Sequence, residues 1–369
     1  MFNWRKPVIY ALLYLSGSKI PQNLKEIKKL EKSSNEEIEK YQKEKLKQIL
    51  LHSWKNVPYY KDVLEKADVI NDGKVNLDKF SNIPILTKDI IRKEFDNIKS
   101  DDLNKRKWYY NTSGGSTGEP VKFIQDKYYD DWNNATKLYF NMKLGKELGE
   151  KEIKLWGSDR DIIQGNLTLK DRIINFLYNR KFFNSYNFTK ENMHNLAELN
   201  NNFRPVSYWA YVDAVYEFSK FSLDNNIKLH SPKLIITTIG PLYPENKKII
   251  EKAFNCKVFN QYGSREVGGI GCQGTEQKEL DVFFWRIFLE IVTDRNNQSN
   301  KGKLIVTSLD NYSMPLIRYE LGDVAIKGNK FYELSETKSY ISINNVIGRT
   351  LGFFKKKDGT LIHTHYLVQ

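Results

Sequence analysis

Apolar positions recur along this chain in two rhythms. The first hundred residues keep a helical period. Ser34-Asn35-Glu36-Glu37 has the pattern of a capping box, and Ile38, Tyr41, Leu46, Ile49 and Leu50 follow at roughly helical spacing. Val57-Pro58-Tyr59-Tyr60 marks a break before another short helix, and Thr87 is placed to cap a helix through Ile90 and Ile91. Trp132, Ala135, Tyr139 and Met142 predict a helix over Asp126–Leu144. Short apolar runs then alternate with helical ones. Strands are expected at Ile153–Gly157, Val206–Trp209, Leu234–Thr238 and Lys257–Phe259. Helices are expected around Lys170–Tyr178, from Glu191, over Asp213–Leu223 and over Pro244–Phe254. Such alternation predicts βαβ units and a mainly parallel sheet covered by helices. From about residue 281 the texture changes to strands and turns, as in DVFFW, IFLEIV and KLIVTSL. The expected fold is therefore α/β, with a smaller antiparallel β subdomain. Its stretches are a helical region over 1–100, a nucleotide-binding body over 101–280, a β-rich subdomain over 281–346, and a hinge with the expected start of a truncated C-terminal domain over 347–369.

Four stretches interrupt this patterning with residues suited to chemistry. The first is Thr112-Ser113-Gly114-Gly115-Ser116-Thr117-Gly118-Glu119-Pro120, set between an aromatic lead-in and the alternating run Val121–Ile124. So many glycines and hydroxyls bury nothing and cannot propagate a helix; they offer bare N–H groups that can wrap an anion. By itself such a loop is also read as plain surface. In the second, Asn260 to Cys272, Glu266 stands among glycines and small polar residues after a strand, and a carboxylate beside phosphates suits Mg²⁺. The third, Tyr312 to Ala325, places Asp323 after Gly322, either to accept from ribose hydroxyls or to cap a turn. The fourth, Ile347 to His363, holds Arg349 and a hairpin turn at Lys357-Asp358-Gly359-Thr360.

Composition narrows the alternatives. The 369 residues carry 58 Lys and Arg against 45 Asp and Glu, a net charge of +13. The cations are interleaved with acids, no RNA-binding motif or zinc-finger spacing occurs, and nucleic acid is not the expected partner. Two cysteines, Cys256 and Cys272, form neither a disulfide framework nor a ligand spacing, which fits a reducing, cytoplasmic setting. Val8–Leu15 is apolar but short of the ~20 residues that span a bilayer. It is read as a helix packed on the body, in preference to a weak membrane contact.

Taken in order, the four stretches resemble the adenylate-forming superfamily of acyl- and aryl-CoA ligases, and above all its phenylacetate–CoA ligase branch, which includes members encoded with capsular-polysaccharide genes. The resemblance implies ATP-dependent activation of a small carboxylic acid to an acyl-adenylate, with coenzyme A as the usual thiol acceptor. It implies that Thr112, Ser113, Gly114, Gly115, Ser116, Thr117 and Gly118 hold the phosphates, and that Glu266, helped by Thr117, holds Mg²⁺. Gly240, Pro241, Gln261, Tyr262, Gly263 and Ser264 would form the adenine slot, and Asp323 with Arg349 would meet the ribose. Tyr208, Trp209 and Tyr211 are candidates for the acyl-pocket wall or, equally, core aromatics.

Three departures accompany the resemblance. The chain stops at Gln369, just past the hinge stretch, so the family's C-terminal lid and its lysine are not expected here. The hinge reads Gly348-Arg349-Thr350-Leu351-Gly352 without the usual acid, and Cys272 stands alone where some relatives bind zinc, so no zinc is expected. The leading expectation is a ligase that is a fragment or works with a separate acyl carrier or lid-bearing protein. The alternative is a catalytically degenerate protein of the same fold that binds nucleotide or acyl-adenylate.

Overall fold

The structure is a computed structural model that describes residues 2–113, 120–156, 169–185, 189–275, 279–293, 300–349, 353–355 and 361–363, with Lys170, Arg349 and everything beyond by backbone alone. The chain has a mixed α/β fold divided into two compact units that interleave along the sequence. The first comprises residues 1–24, 137–262 and 272–277; the second comprises 25–136, 263–271 and 278–369.

The first unit is the βαβ region that the alternating pattern predicts. Strands Arg180–Asn184, Glu152–Trp156, Ser207–Tyr211, Leu234–Thr238 and Lys257–Ser264 lie side by side in that order, all parallel. Helices Lys190–Phe203, Val212–Asp224 and Pro244–Phe254 lie in three of the four connections, and helix Leu169–Leu177 lies in the other. Ile153, Leu155, Tyr208, Val215, Phe218, Phe254 and Val258 form one buried cluster. Thr189 caps the first of these helices by accepting from the Asn192 N–H. The strand Arg180–Asn184 escaped the sequence reading, because its two phenylalanines sit beside Arg180 and Lys181 at the sheet's edge.

In the second unit, strands Ile287–Val292, Lys301–Ser308, Tyr319–Lys327, Ser342–Arg349 and Leu280–Val282 form an antiparallel series. The helix-rich early chain belongs to the same unit. The capping box at Ser34 is present, Thr87 accepts from the Ile90 N–H, and Pro58 opens helix Pro58–Lys66 at its first turn. Polar side chains stitch these helices to the strands. Gln42 in helix Asn35–Asn56 donates to the carbonyls of Phe284 and Ile287 at 2.7 and 2.8 Å and accepts from Ser339 Oγ at 3.0 Å. The Tyr60 hydroxyl donates to Pro315 O and accepts from the Ile317 N–H.

Strands Phe353–Lys355 and Leu361–His363 pair antiparallel, as a hairpin turn between them requires, while the turn residues themselves lie outside the described residues. Among the described residues no helix is long and apolar enough to cross a membrane. Helix Arg5–Leu15 buries Ile9 but leaves Trp4, Val8, Leu12 and Leu15 exposed, so it is packed on the body by one face only.

Candidate active site

Within the second unit, backbone pairing and two buried side chains draw together the described parts of all four stretches. Strand Trp108–Thr112 leads into the glycine loop and Lys122–Asp126 leads out, paired antiparallel with Thr112 opposite Lys122. Ser113 closes the mouth of the loop: its N–H donates to Val121 O at 2.9 Å, and its hydroxyl accepts from the Val121 N–H at 2.9 Å. Ser113 is buried, so its oxygen is already engaged in shaping the loop's base. Gly114, Gly115, Ser116, Thr117 and Gly118 lie outside the described residues.

Gln125, on the outgoing strand, is the residue that sequence reasoning missed. Its Nε2 donates to the carbonyls of Arg265 and Glu266 at 2.9 and 3.1 Å. Its Oε1 lies 3.0 Å from Asn111 Nδ2 and 3.2 Å from the Tyr109 hydroxyl, both on the incoming strand. One amide thus ties both arms of the loop to the backbone that carries Glu266. Tyr109 also donates to Asp130 at 2.8 Å; burial, then that carboxylate, raises the phenol's pKa and keeps it a donor. Nothing in the run Val121–Ile124 marks the next residue, Gln125, as this tie; its burial shows only in the folded chain.

Glu266 sits in a three-residue turn, Arg265 to Val267, between strands Lys257–Ser264 and Gly268–Gln273. Its side chain is 7% exposed, and one oxygen accepts from the Tyr319 hydroxyl at 3.3 Å. Tyr319 opens the strand that also carries Asp323, so the third stretch is joined to the second through a buried phenol. Asp323 follows Gly322, whose φ of +84° favours glycine, and lies directly opposite Arg349 on strand Ser342–Arg349. The Arg349 side chain lies outside the described residues.

The glycines around Glu266 have a packing reason. A Cβ on Gly263 would fall 2.5 Å from Gly268 O, and one on Gly268 would fall 2.5 Å from Asn133 Oδ1 and 2.8 Å from Arg286 Nη1. Asn133 accepts from the Gly269 N–H and from Arg286, which also meets Asp310 at 2.7 Å. Ser264 accepts from the Val267 N–H at 3.3 Å and so braces the turn.

The first unit holds the other candidate residues. Gly240 and Pro241 follow strand Leu234–Thr238 at its C-terminal end; Gln261 and Tyr262 lie toward the C-terminal end of the neighbouring strand, Gln261 buried and Tyr262 half-buried. Just before Gly240, Ile239 is held at φ +56° while 60% exposed. A β-branched residue rarely adopts that conformation, and such strain collects at functional loops. The three candidate aromatics separate by strand alternation. Tyr208 is core: its ring meets Phe254 at 5.2 Å and its hydroxyl donates to Asn200 Oδ1 at 2.8 Å. Trp209 and Tyr211 take the opposite face, where Tyr211 meets Trp156 at 4.6 Å and Lys154 lies 5.4 Å from the Trp209 ring.

The fold has known counterparts. An open conformation of 2-hydroxyisobutyryl-CoA ligase, in complex with 2-HIB-AMP and CoA, superposes with a TM-score of 0.63 over 86% of this chain and 76% of that one, at 16% identity. The same ligase in its postadenylation state, in complex with 2-HIB-AMP, gives 0.67 over 90% and 71% of the two chains, at 15% identity. The fold is that of an adenylate-forming ligase. In sequence, Protein CapK of Staphylococcus aureus is 27% identical over 341 residues, 91% of this chain and 73% of CapK. That similarity agrees with the capsule-associated branch of the adenylate-forming ligases. No family model matches the chain.

Proposed function

We propose that the protein uses ATP to activate a carboxylic acid as its acyl-adenylate, releasing pyrophosphate, and that a thiol such as coenzyme A then accepts the acyl group. The observation that supports this most directly is the convergence on Glu266. Gln125 fastens the arms of the glycine loop to the Glu266 backbone, and Tyr319, on the strand of Asp323, touches its carboxylate. A step of this kind is catalysed by positioning and charge stabilisation, which is what a braced loop and a held carboxylate supply.

A single buried carboxylate suits Mg²⁺, which takes one or two protein carboxylates and shares the rest of its shell with phosphate and water. Glu266 would hold the ion together with Thr117, and the ion would neutralise charge on the phosphates. Tyr319 fixes the orientation of the carboxylate, and Asp323 would accept from the ribose hydroxyls beside Arg349. The nucleobase roles of Gly240, Pro241, Gln261 and Tyr262 belong to the same proposal, with Trp209 and Tyr211 as the aromatic face offered to an acyl chain. The similarity to CapK makes capsular-polysaccharide biosynthesis the proposed setting.

Acid-dependent ATP–pyrophosphate exchange, with hydroxylamine trapping of the acyl-adenylate, is the test. Exchange with at least one acid, reduced on the order of a hundredfold in Glu266→Gln with an unchanged unfolding midpoint, is the expected result. Nucleotide binding with no acid that supports exchange or trapping would leave a nucleotide-binding protein of the same fold.

A further inference from the structure

Helix Arg5–Leu15 wears its amphipathic pattern inside out. Trp4, Val8, Leu12 and Leu15 recur at i, i+4, i+8 and i+11, the spacing of a core-facing stripe, yet all four are exposed, Leu15 by 84%. Phe2, just before the helix, is 80% exposed. Helix Leu169–Leu177 repeats the inversion: Leu169, Ile173 and Phe176, at i, i+4 and i+7, are 75%, 50% and 61% exposed.

The two stripes meet at Trp4 and Phe176. The Trp4 and Phe176 rings lie 6.3 Å apart, and the Arg5 guanidinium lies 4.6 Å from the first ring and 5.2 Å from the second. Arg5 Nε donates to Phe176 O at 3.2 Å, which ties the start of the first helix to the end of the second. Contiguous apolar surface of this kind on a folded protein marks an interaction site.

Charge selects the partner. The first 24 residues hold Arg5, Lys6 and Lys19 and no acid, and the second helix adds Arg172 beside Asp171. Lys6 pairs with Glu147. Aliphatic residues beside exposed Trp4 and Tyr14, with Arg5 between the Trp4 and Phe176 rings, match the interface of an anionic bilayer, where rings sit at headgroup depth and each nearby cation strengthens the attraction. A two-fold contact with a second copy would set these cations against themselves.

We propose that this two-helix face attaches the folded protein peripherally to an anionic lipid surface. The test is co-sedimentation of the full chain with phosphatidylcholine vesicles, with and without phosphatidylglycerol. The expected result is pelleting with the anionic vesicles alone, released by salt, and weakened roughly tenfold or more in Phe2→Ser/Leu15→Ser, whose side chains bury almost nothing in the fold. Ile173→Ser, on the other helix, is the second variant; both should keep the wild-type unfolding midpoint. No pelleting with anionic vesicles, or equal pelleting with neutral ones, would overturn the proposal. So would a dimer seen by analytical ultracentrifugation without vesicles and abolished by the same changes, which would assign the face to a second copy.

Discussion

The two units of this chain are held together by different means. In the first, the centre is a cluster of aliphatic and aromatic side chains, and its buried ion group of Lys146, Glu152 and Arg180 begins at the first residue of a strand. In the second, charged and amide side chains run through the interior: Arg286 with Asp310, Arg318 with Glu290, Gln42 and Gln125 with backbone carbonyls. A core of the first kind is indifferent to which apolar residue fills a place, provided the volume is right. A core of the second kind depends on partners that are far apart in sequence. The candidate catalytic carboxylate, Glu266, lies in the second kind of interior, where its position is enforced by hydrogen bonds.

Substitutions at the buried ion pairs should break that contrast most strongly. Arg286→Met leaves the Asp310 carboxyl, its pKa already raised by burial, without its cation and should cost about 3–5 kcal/mol in urea unfolding. Adding Asp310→Leu should restore part of the loss, because it removes the stranded carboxyl, while Asn133, Gly269 O and Ser308 still lose a hydrogen-bond partner. In the first unit, Phe254→Ala should cost a similar ~3–5 kcal/mol through the cavity it opens, with no polar group stranded. Next comes Gln125→Leu. It strands the carbonyls of Arg265 and Glu266 and should cost about 2–3 kcal/mol, while lowering acid-dependent exchange by a larger factor than the stability loss explains.

A smaller effect is expected in acid. The hydrogen bonds from Arg106, then that from Ser100, hold the Asp102 carboxyl down to about 2, against the usual value near 3.8, despite partial burial. A depressed folded pKa means stability that is present above pH 4 and lost as pH falls toward 2. Asp102→Asn should remove about 1 kcal/mol of that loss, allowing for solvent screening at a side chain about 20% exposed, as read from unfolding midpoints across this range. The smallest change should stabilise. Ile239→Asn, which tolerates φ +56°, is expected to gain about 1 kcal/mol or less and to raise the melting temperature slightly.

The contrast also explains what could be read from the residues in advance. Strand Leu234–Thr238 and helix Pro244–Phe254 fall on the predicted bounds, because apolar period and a proline at the first turn specify them locally. The cap at Ser34 and the one at Thr87 were legible for the same reason. Strand Gly268–Gln273 is not among the strands expected from the sequence, since its glycines answer to Asn133 and Arg286, more than a dozen residues away on either side. The four site stretches were legible as motifs, but Gln125 and Tyr319 were not, because nothing in either residue's own segment shows which carbonyl or carboxylate it will meet. Tyr208 could be separated from Trp209 and Tyr211 only once the strand's two faces were known.

The interleaving of the two units sets an order for their making. Gln42 finds its carbonyl partners 242 and 245 residues later, and Tyr60 meets Pro315 across 255. By contrast, the parallel strands of the first unit pair with neighbours emerging within a few tens of residues. On the ribosome, residues 137–262 therefore have their partners at hand while helix Asn35–Asn56 still waits for strands not yet synthesised. The early helices must be kept from other company until residues 284–339 have been made, and a slow or stalled ribosome should expose them to chaperones and proteases before it exposes the parallel sheet.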